Sequence, residues 1–415
     1  MLDPYPVTGL QLTPSPEARE LRGRLVEFMN EHVFPAEADY VEYRTAMGPH
    51  DHSLPPVVEK LKREAQSRDL WNLFLPAASG ISQLDYAGLA EITGWSLDLA
   101  PEALNCQAPD TGNMELLHLF GTDEQKSRWL APLLAGTIRS AFAMTEIAVA
   151  SSDATNIETL IQRDGDEYVI NGRKWWTSGA ADPRCEFLIV MGKTDPDAER
   201  HRQQSMIVVP TSTQGVRIVR DVPVFGHHDQ HGHCEIVFDD ARVPVSNLLS
   251  EEGSGFALAQ ARLGPGRIHH CMRALGAAER ALALLISRSQ SRVAFGRPLI
   301  DHGTVMADIA ESRLAIDQAR LLCQSAARTI DEAGNRAAAP LVSMAKVAVP
   351  RVALQVIDRA IQIHGGAGVS DDVPLARMYG WHRAMRIFDG PDEVHLRTIA
   401  KAELNRETHL RPTPA

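Results

Sequence analysis

The chain has 415 residues and 45.5 kDa, with 44% hydrophobic and 23% charged residues, enough for a large core shared among two or three domains. A formal net charge of -11 gives no electrostatic reason to expect nucleic-acid binding, because neutralising phosphates needs a basic surface. Five widely spaced cysteines with no Cys-x-x-Cys pair argue against a disulfide framework or a thiolate zinc site, and for a reducing compartment.

The opening MLDPYPVTGL has neither the basic start and apolar core of a signal peptide nor the Arg-rich pattern of a transit peptide. No run approaches 18 apolar residues, so the expectation is a soluble, cytoplasmic protein. Ser15-Pro16 reads as an N-cap followed by Pro at the first helical position. Leu21, Leu25, Phe28, Met29 and Val33 then recur at three- and four-residue steps, one apolar helix face. That period continues through EALNCQAPDTGNMELLHLFGTDEQKSRWLAPLLAG.

Near residue 140 the pattern shortens. EYVINGRKWW, FLIVMGK, SMIVVP, GVRIVRDVP and HCEIVFDDARVP are β-branched runs separated by Gly, Pro, Asp and Asn, as in an antiparallel β domain. Asn171-Gly172 after DEYVI reads as a two-residue hairpin turn. After SEEGSGF the helical period returns in RIHHCMRALGAAERALALLISRSQSRVAF and ADIAESRLAIDQARLLCQSAARTIDEAG, and twice more in the last 75 residues. The expected architecture is α+β: an N-terminal helical domain over 1–139, a middle antiparallel β domain over 140–252 and a C-terminal four-helix bundle over 253–415.

Four stretches carry candidate chemistry. In MTEIAVASSD small residues admit a ligand, with Thr145, Ser151 and Ser152 offering hydroxyls and N–H groups. In NGRKWWTSGA, strand alternation would turn one of Trp175 and Trp176 inward and the other outward. FGHHDQHGHC gathers His227, His228, His231, His233 and Cys234 without a familiar ligand spacing, so it reads as a polar loop with no metal. FDGPDEVH sets Asp389, Asp392 and Glu393 around a Gly-Pro break; Asp392 has the look of a first-turn helix acid.

AFAMTEIAVASSDATNIETLIQRDGDEYVINGRKWWTSGA, then FDDARVPVSNLLSEEGSGF, then QIHGGAG followed by FDGPDEVH, resemble the acyl-CoA dehydrogenase flavoprotein family in order over roughly residues 15 to 405. The resemblance implies FAD in a cleft between the domains, and a homotetramer or homodimer. It gives Thr145 and Ser152 to the cofactor and Ser151 to the substrate. One residue more than the TEPxxGSD form leaves open which serine faces the ligand, and counting back from Asp153 favours Ser152. Trp176 would cover a flavin face, and Ser178, in place of the usual Thr, would bond flavin N5. Arg292 and Phe295 would reach FAD held mainly by a neighbouring subunit, with Gln362, Gly365 and Gly366 supplying backbone across that interface. Glu393 stands where relatives carry a Gln near FAD, and Arg267 and Gly390 fall near the acyl-CoA. Gly264, Gly303 and Pro391 depart from the family pattern and lose contacts to CoA or FAD.

Asp389 occupies the place of the family's catalytic Glu. The chemistry survives, but the shorter side chain must sit about 1.5 Å closer, roughly one carbon–carbon bond. An Asp also stands there in the dehydrogenase part of kinase-fused animal members and in nitroalkane oxidases. The implied reaction is that of fatty-acid β-oxidation. Asp389, its pKa raised in a dry cleft, removes the α-proton of an acyl-CoA. Hydride passes to flavin N5, giving the trans-2-enoyl-CoA, and the electrons go to an electron-transfer flavoprotein. The alternatives are an oxidase on the same fold, acting on a nitroalkane or an acyl-CoA, and a non-catalytic flavin-binding protein of the alkylation-response type. Net charge and the retained carboxylate count against the last.

Overall fold

In the computed structural model, which describes residues 12–405, Ser15 caps the first helix as its sequence predicts: its Oγ accepts the Ala18 N–H at 3.1 Å. The decapeptide read above for targeting signals lies outside the described residues. Helix α1 (Pro16–Phe28) passes through one π turn (Met29–Val33) into α2 (Phe34–Met47), and Leu21, Leu25, Phe28, Met29 and Val33 are all buried. Helices α3 (Pro56–Ser67), α4 (Gln83–Thr93) and α5 (Asp110–Phe120) complete the longer helices of this region.

A seven-stranded sheet follows, built from β1 (Arg139–Ala143), β2 (Leu160–Asp164), β3 (Glu167–Ser178), β4 (Cys185–Lys193), β5 (Gln204–Pro210), β6 (Val216–Asp221) and β7 (His233–Pro244). The order is β1-β4-β2-β3-β7-β6, with β5 on the other side of β4. Tyr168, Ile170, Leu188, Val190, Ile207, Val209, Ile236 and Phe238 belong to its apolar core. All five β runs read from the sequence are strands. The pairing is not uniformly antiparallel, however, because β1 enters from the helical region and runs parallel to β4.

The hairpin falls elsewhere than Asn171-Gly172 suggests. β2 and β3 pair from Leu160↔Asn171 to Asp164↔Glu167, so the turn is at Gly165-Asp166, with Gly165 at φ 62°. Asn171 and Gly172 lie inside β3, where the register with β7 shifts. A Cβ on Gly172 would stand 2.4 Å from Thr159 Oγ1, so this glycine marks a close approach within the sheet and not a reversal.

The chain divides into two compact units, the first ending at Ala277 and the second beginning at Ala278. Helix α6 (Gly255–Ser291) runs from one into the other. In the second unit a small hairpin, β8 (Val293–Ala294) and β9 (Arg297–Pro298), precedes α7 (Gly303–His364), which Gly334 interrupts at φ 79°, ψ 171°. The Glu279 carboxylate bonds Arg313 and Arg320, tying α6 to α7. Helices α8 (Leu375–Met385) and α9 (Asp392–Leu404) pack on α7. Part of α7 is long and apolar enough to cross a membrane, but more than half of that stretch is buried, as in a core helix.

Candidate active site

In the first unit, the loop MTEIAVASSD is held from within. Glu146 is buried and pairs with the equally buried Lys174 on β3 at 2.7 Å. Its carboxylate also accepts from Glu158 N, Thr159 N and Thr159 Oγ1. Burial opposes both charges. In Glu146 the ammonium and these donors prevail and hold the carboxyl below its usual range. In Lys174 burial prevails and lowers the amine to about 8. The Ser151 Oγ accepts the Glu146 N–H at 2.8 Å and is buried, whereas Thr145 and Ser152 are exposed. The two serines therefore have different tasks, one inside the loop and one on its surface.

Strand β3 ends beside this loop, where Trp175 N–H bonds Thr145 O at 3.0 Å. The expected in–out alternation is broken by a register shift between Lys174 and Thr177. Trp176 adopts φ 53° and is 38% exposed. Bulky side chains rarely take positive φ, and such strain concentrates at functional sites. Among the described residues the aromatics that do so are Trp176, Phe225 and Phe295, two of which the sequence already marks for the cofactor.

Ser178 closes β3 opposite His233, the first residue of β7. The sequence reading missed what meets there. Ser178 Oγ lies 2.8 Å from His233 Nδ1, and His233 Nε2 lies 2.8 Å from Asp229 Oδ2. Asp221 accepts the His233 N–H and also pairs with His228. Donor atoms of Asp229, His231 and His233 lie within 4.8 Å of one another. No strand-type alternation signals this meeting, because Asp229 to Gly232 is a turn closed by the Gly232 N–H on Asp229 O at 3.1 Å, with Gly232 at φ 66°. Arg267, on α6, is half-buried.

In the second unit, α8 leads into the turn Arg386–Pro391, which carries Asp389 at φ 54° and Gly390 at φ 100°. Lys346 of α7 donates to Met385 O and to Phe388 O at 2.9 Å. His395 of α9 sits between Ser343 Oγ at 3.2 Å and Asp389 O at 3.3 Å. A Cβ on Gly390 would come 2.9 Å from His395 Nε2, so glycine is required by space as well as by φ. Asp389 is thus mounted on a turn clamped from two helices.

Asp392 opens α9 as expected, but it is buried and accepts bonds from both Arg351 and Arg386. Burial opposes its charge; the two guanidiniums outweigh it and hold the carboxyl below its usual range. Glu393, beside it, is exposed. Arg292 follows the last residue of α6, and Phe295 caps the β8–β9 hairpin with 98% exposure. Gln362, Gly365 and Gly366 are exposed where α7 ends, and Gly365 caps that end at φ 61°. A Cβ at either glycine would meet nothing within 4 Å.

The family model for the acyl-CoA dehydrogenase N-terminal domain matches residues 15–137, that for the middle domain 141–241, and that for the C-terminal domain 253–404. FadE2 of Mycobacterium tuberculosis, assigned as an acyl-CoA dehydrogenase, is 70% identical over 393 residues, 95% of this chain and 97% of FadE2. Acyl-CoA dehydrogenase family member 11 of Gallus gallus is 56% identical over 395 residues, 94% of this chain but 51% of its own length, so the chain spans about half of that relative. A solved Mycobacterium abscessus structure, described as an acyl-CoA dehydrogenase, superposes with a TM-score of 0.91 at 47% identity, covering 94% of this chain and 99% of that one.

Proposed function

The chain belongs to the acyl-CoA dehydrogenase family, and on that footing we propose that it removes the α- and β-hydrogens of an acyl-CoA with Asp389 as the base. The enzyme is an oxidoreductase and its cofactor is FAD. The donor set suits that cofactor: a flat indole face at Trp176, hydroxyls at Thr145, Ser152 and Ser178, an exposed guanidinium at Arg292 and open glycine backbone at Gly365 and Gly366. FAD, when bound, supplies the acceptor for the β-hydride.

The carrying observation is Asp389 itself, a carboxylate at positive φ on a turn fixed by Lys346 and His395. A general base must be held within hydrogen-bond reach of its proton, and a clamped turn keeps this carboxylate in one place. The Asp389 N–H polarises the thioester carbonyl as the α-proton leaves. Ser152 takes the ligand-facing role, Ser151 orders the loop from inside near the substrate, and Arg267 and Gly390 border the acyl-CoA. Glu393 reaches toward the cofactor from α9. Phe295, Arg292 and Gln362 complete the FAD site across an interface of a homotetramer or homodimer; the almost fully exposed Phe295 supports that assembly. The electrons go to an electron-transfer flavoprotein, and the reaction belongs to cytoplasmic acyl-CoA degradation.

The test is anaerobic titration with acyl-CoAs of increasing length while the flavin absorbance is followed. Bleaching by wild type, and none by an Asp389→Asn variant that keeps its FAD, is the expected result. Rapid recolouring in air would turn the reading to an oxidase, and bleaching by nitroalkanes alone would replace the substrate class.

A further inference from the structure

His233, the first residue of β7, is fixed on three sides. Ser178, its neighbour across the β3–β7 pair, lies at 2.8 Å from Nδ1; Asp229 lies at 2.8 Å from Nε2; Asp221 accepts the backbone N–H at 2.8 Å. His233 and Asp229 are buried, and the Trp176 ring lies 5.8 Å from the imidazole.

This order constrains the hydrogens. A carboxylate facing Nε2 requires a hydrogen there, so the neutral ring presents a bare Nδ1. The Ser178 hydroxyl then donates to Nδ1 and offers only lone pairs outward. With a second proton on the ring, Nδ1–H donates to Ser178 Oγ, the hydroxyl hydrogen turns outward, and Asp229 balances the imidazolium. One hydroxyl is thereby switched between acceptor and donor. Flavin N5 makes the matching reversal, carrying a hydrogen when reduced and a bare lone pair when oxidised.

We propose that His233, backed by Asp229, is a positioning residue that receives through Ser178 the proton leaving flavin N5 when two electrons pass to the protein acceptor. The proposal rests on the reading that Ser178 faces N5. The N5–H bond breaks, its hydrogen binds Ser178 Oγ, and the former hydroxyl hydrogen becomes Nδ1–H, while both electrons leave for the acceptor. Among the groups facing His233 are Asp229 and His231 of the preceding loop, Asp221 at the end of β6, and Ser178 and Trp176 of β3. Burial lowers the His231 pKa, which disfavours a second positive charge beside His233.

The experiment is spectroelectrochemical titration of the FAD-loaded enzyme from pH 5 to 9. Wild type should show an interval in which the midpoint does not move, because His233 and not the solvent supplies the proton. In His233→Gln and Asp229→Asn the midpoint should instead fall by about 30 mV for each tenfold drop in proton activity throughout. Both variants should also slow reoxidation by a one-electron acceptor about 10²-fold more than bleaching by acyl-CoA. A uniform slope in wild type, or an unchanged flat interval in both variants, overturns the proposal. Ser178→Ala separates the two layers. If it leaves flavin spectrum and midpoint unchanged, Ser178 does not face the flavin and the underlying site assignment fails. If it shifts both while His233→Gln shifts neither, the site stands and the relay falls. Stoichiometric zinc retained by wild type and lost in His231→Ala would also overturn the proposal, since a cation on Nε2 leaves no hydrogen there.

Discussion

Two adjacent serines show how one residue's worth of register decides a role. The Ser151 hydroxyl accepts the Glu146 N–H inside the loop, and Ser152 stands on the surface. Ser151→Ala leaves a buried N–H without its acceptor and should cost about 1–3 kcal/mol in urea denaturation. Ser152→Ala should stay within about 0.5 kcal/mol of wild type and show its effect as weaker FAD retention. The reverse assignment of the two effects would reject the ligand-facing role of Ser152. Counting back from Asp153 singles out Ser152, but counting along a chain cannot say which hydroxyl turns inward; the Glu146 N–H does. Asp389 is proposed as the base because Phe-Asp-Gly-Pro follows QIHGGAG at the family's distance. The Lys346 and His395 clamps that hold it come from distant segments with no local signature.

Strand β3 and the 144–153 loop depend on each other through the Glu146–Lys174 pair. Glu146→Ala strands a buried ammonium and removes the acceptor of three further donors. It should destabilise by about 3–5 kcal/mol, measured by urea denaturation. A loss below about 1 kcal/mol would mean that the loop is held by other contacts. Helices and strands themselves were readable from period and capping, as Ser15 and the buried face Leu21 to Val33 attest. The β2–β3 hairpin was not: Asn-Gly is a strong turn signal, yet Gly172 is needed for the approach of Thr159, and the turn formed at Gly165. Local propensity yields to packing when a neighbouring strand occupies the space a side chain would take.

Buried acids distribute charge across the first unit in ways that affect its stability with pH. Burial raises the Glu115 pKa to about 8, Arg262 only partly countering it. The folded protein therefore holds a proton that the unfolded chain releases above its ordinary value of about 4.5. That contribution is present in acid and is lost as pH rises toward 8, by at most about 1.4 kcal/mol per pH unit in the interval. Glu115→Gln should thus gain stability relative to wild type between pH 5 and pH 9, read as a widening Tm difference. A constant difference would show that Glu115 does not carry the proton. Arg292→Ala should lower the FAD-to-protein ratio after gel filtration without changing the Tm of the apoprotein. Full retention in the assembled protein would reject its phosphate contact.

By itself the sequence determined the helix–sheet–helix succession and the family, and through the family's motifs it singled out Asp389, Trp176, Ser178 and Arg292 for the proposed site, because period, capping and ordered motifs are local or linear properties. Only the tertiary structure decided which serine faces outward, where the β2–β3 turn falls, and that Ser178, His233 and Asp229 form one chain of hydrogen bonds. Those outcomes depend on which strands lie side by side, and β3 meets β7 across more than 50 residues of intervening chain. Burial and pairing then fix protonation and hydrogen direction, which no spacing along the chain encodes.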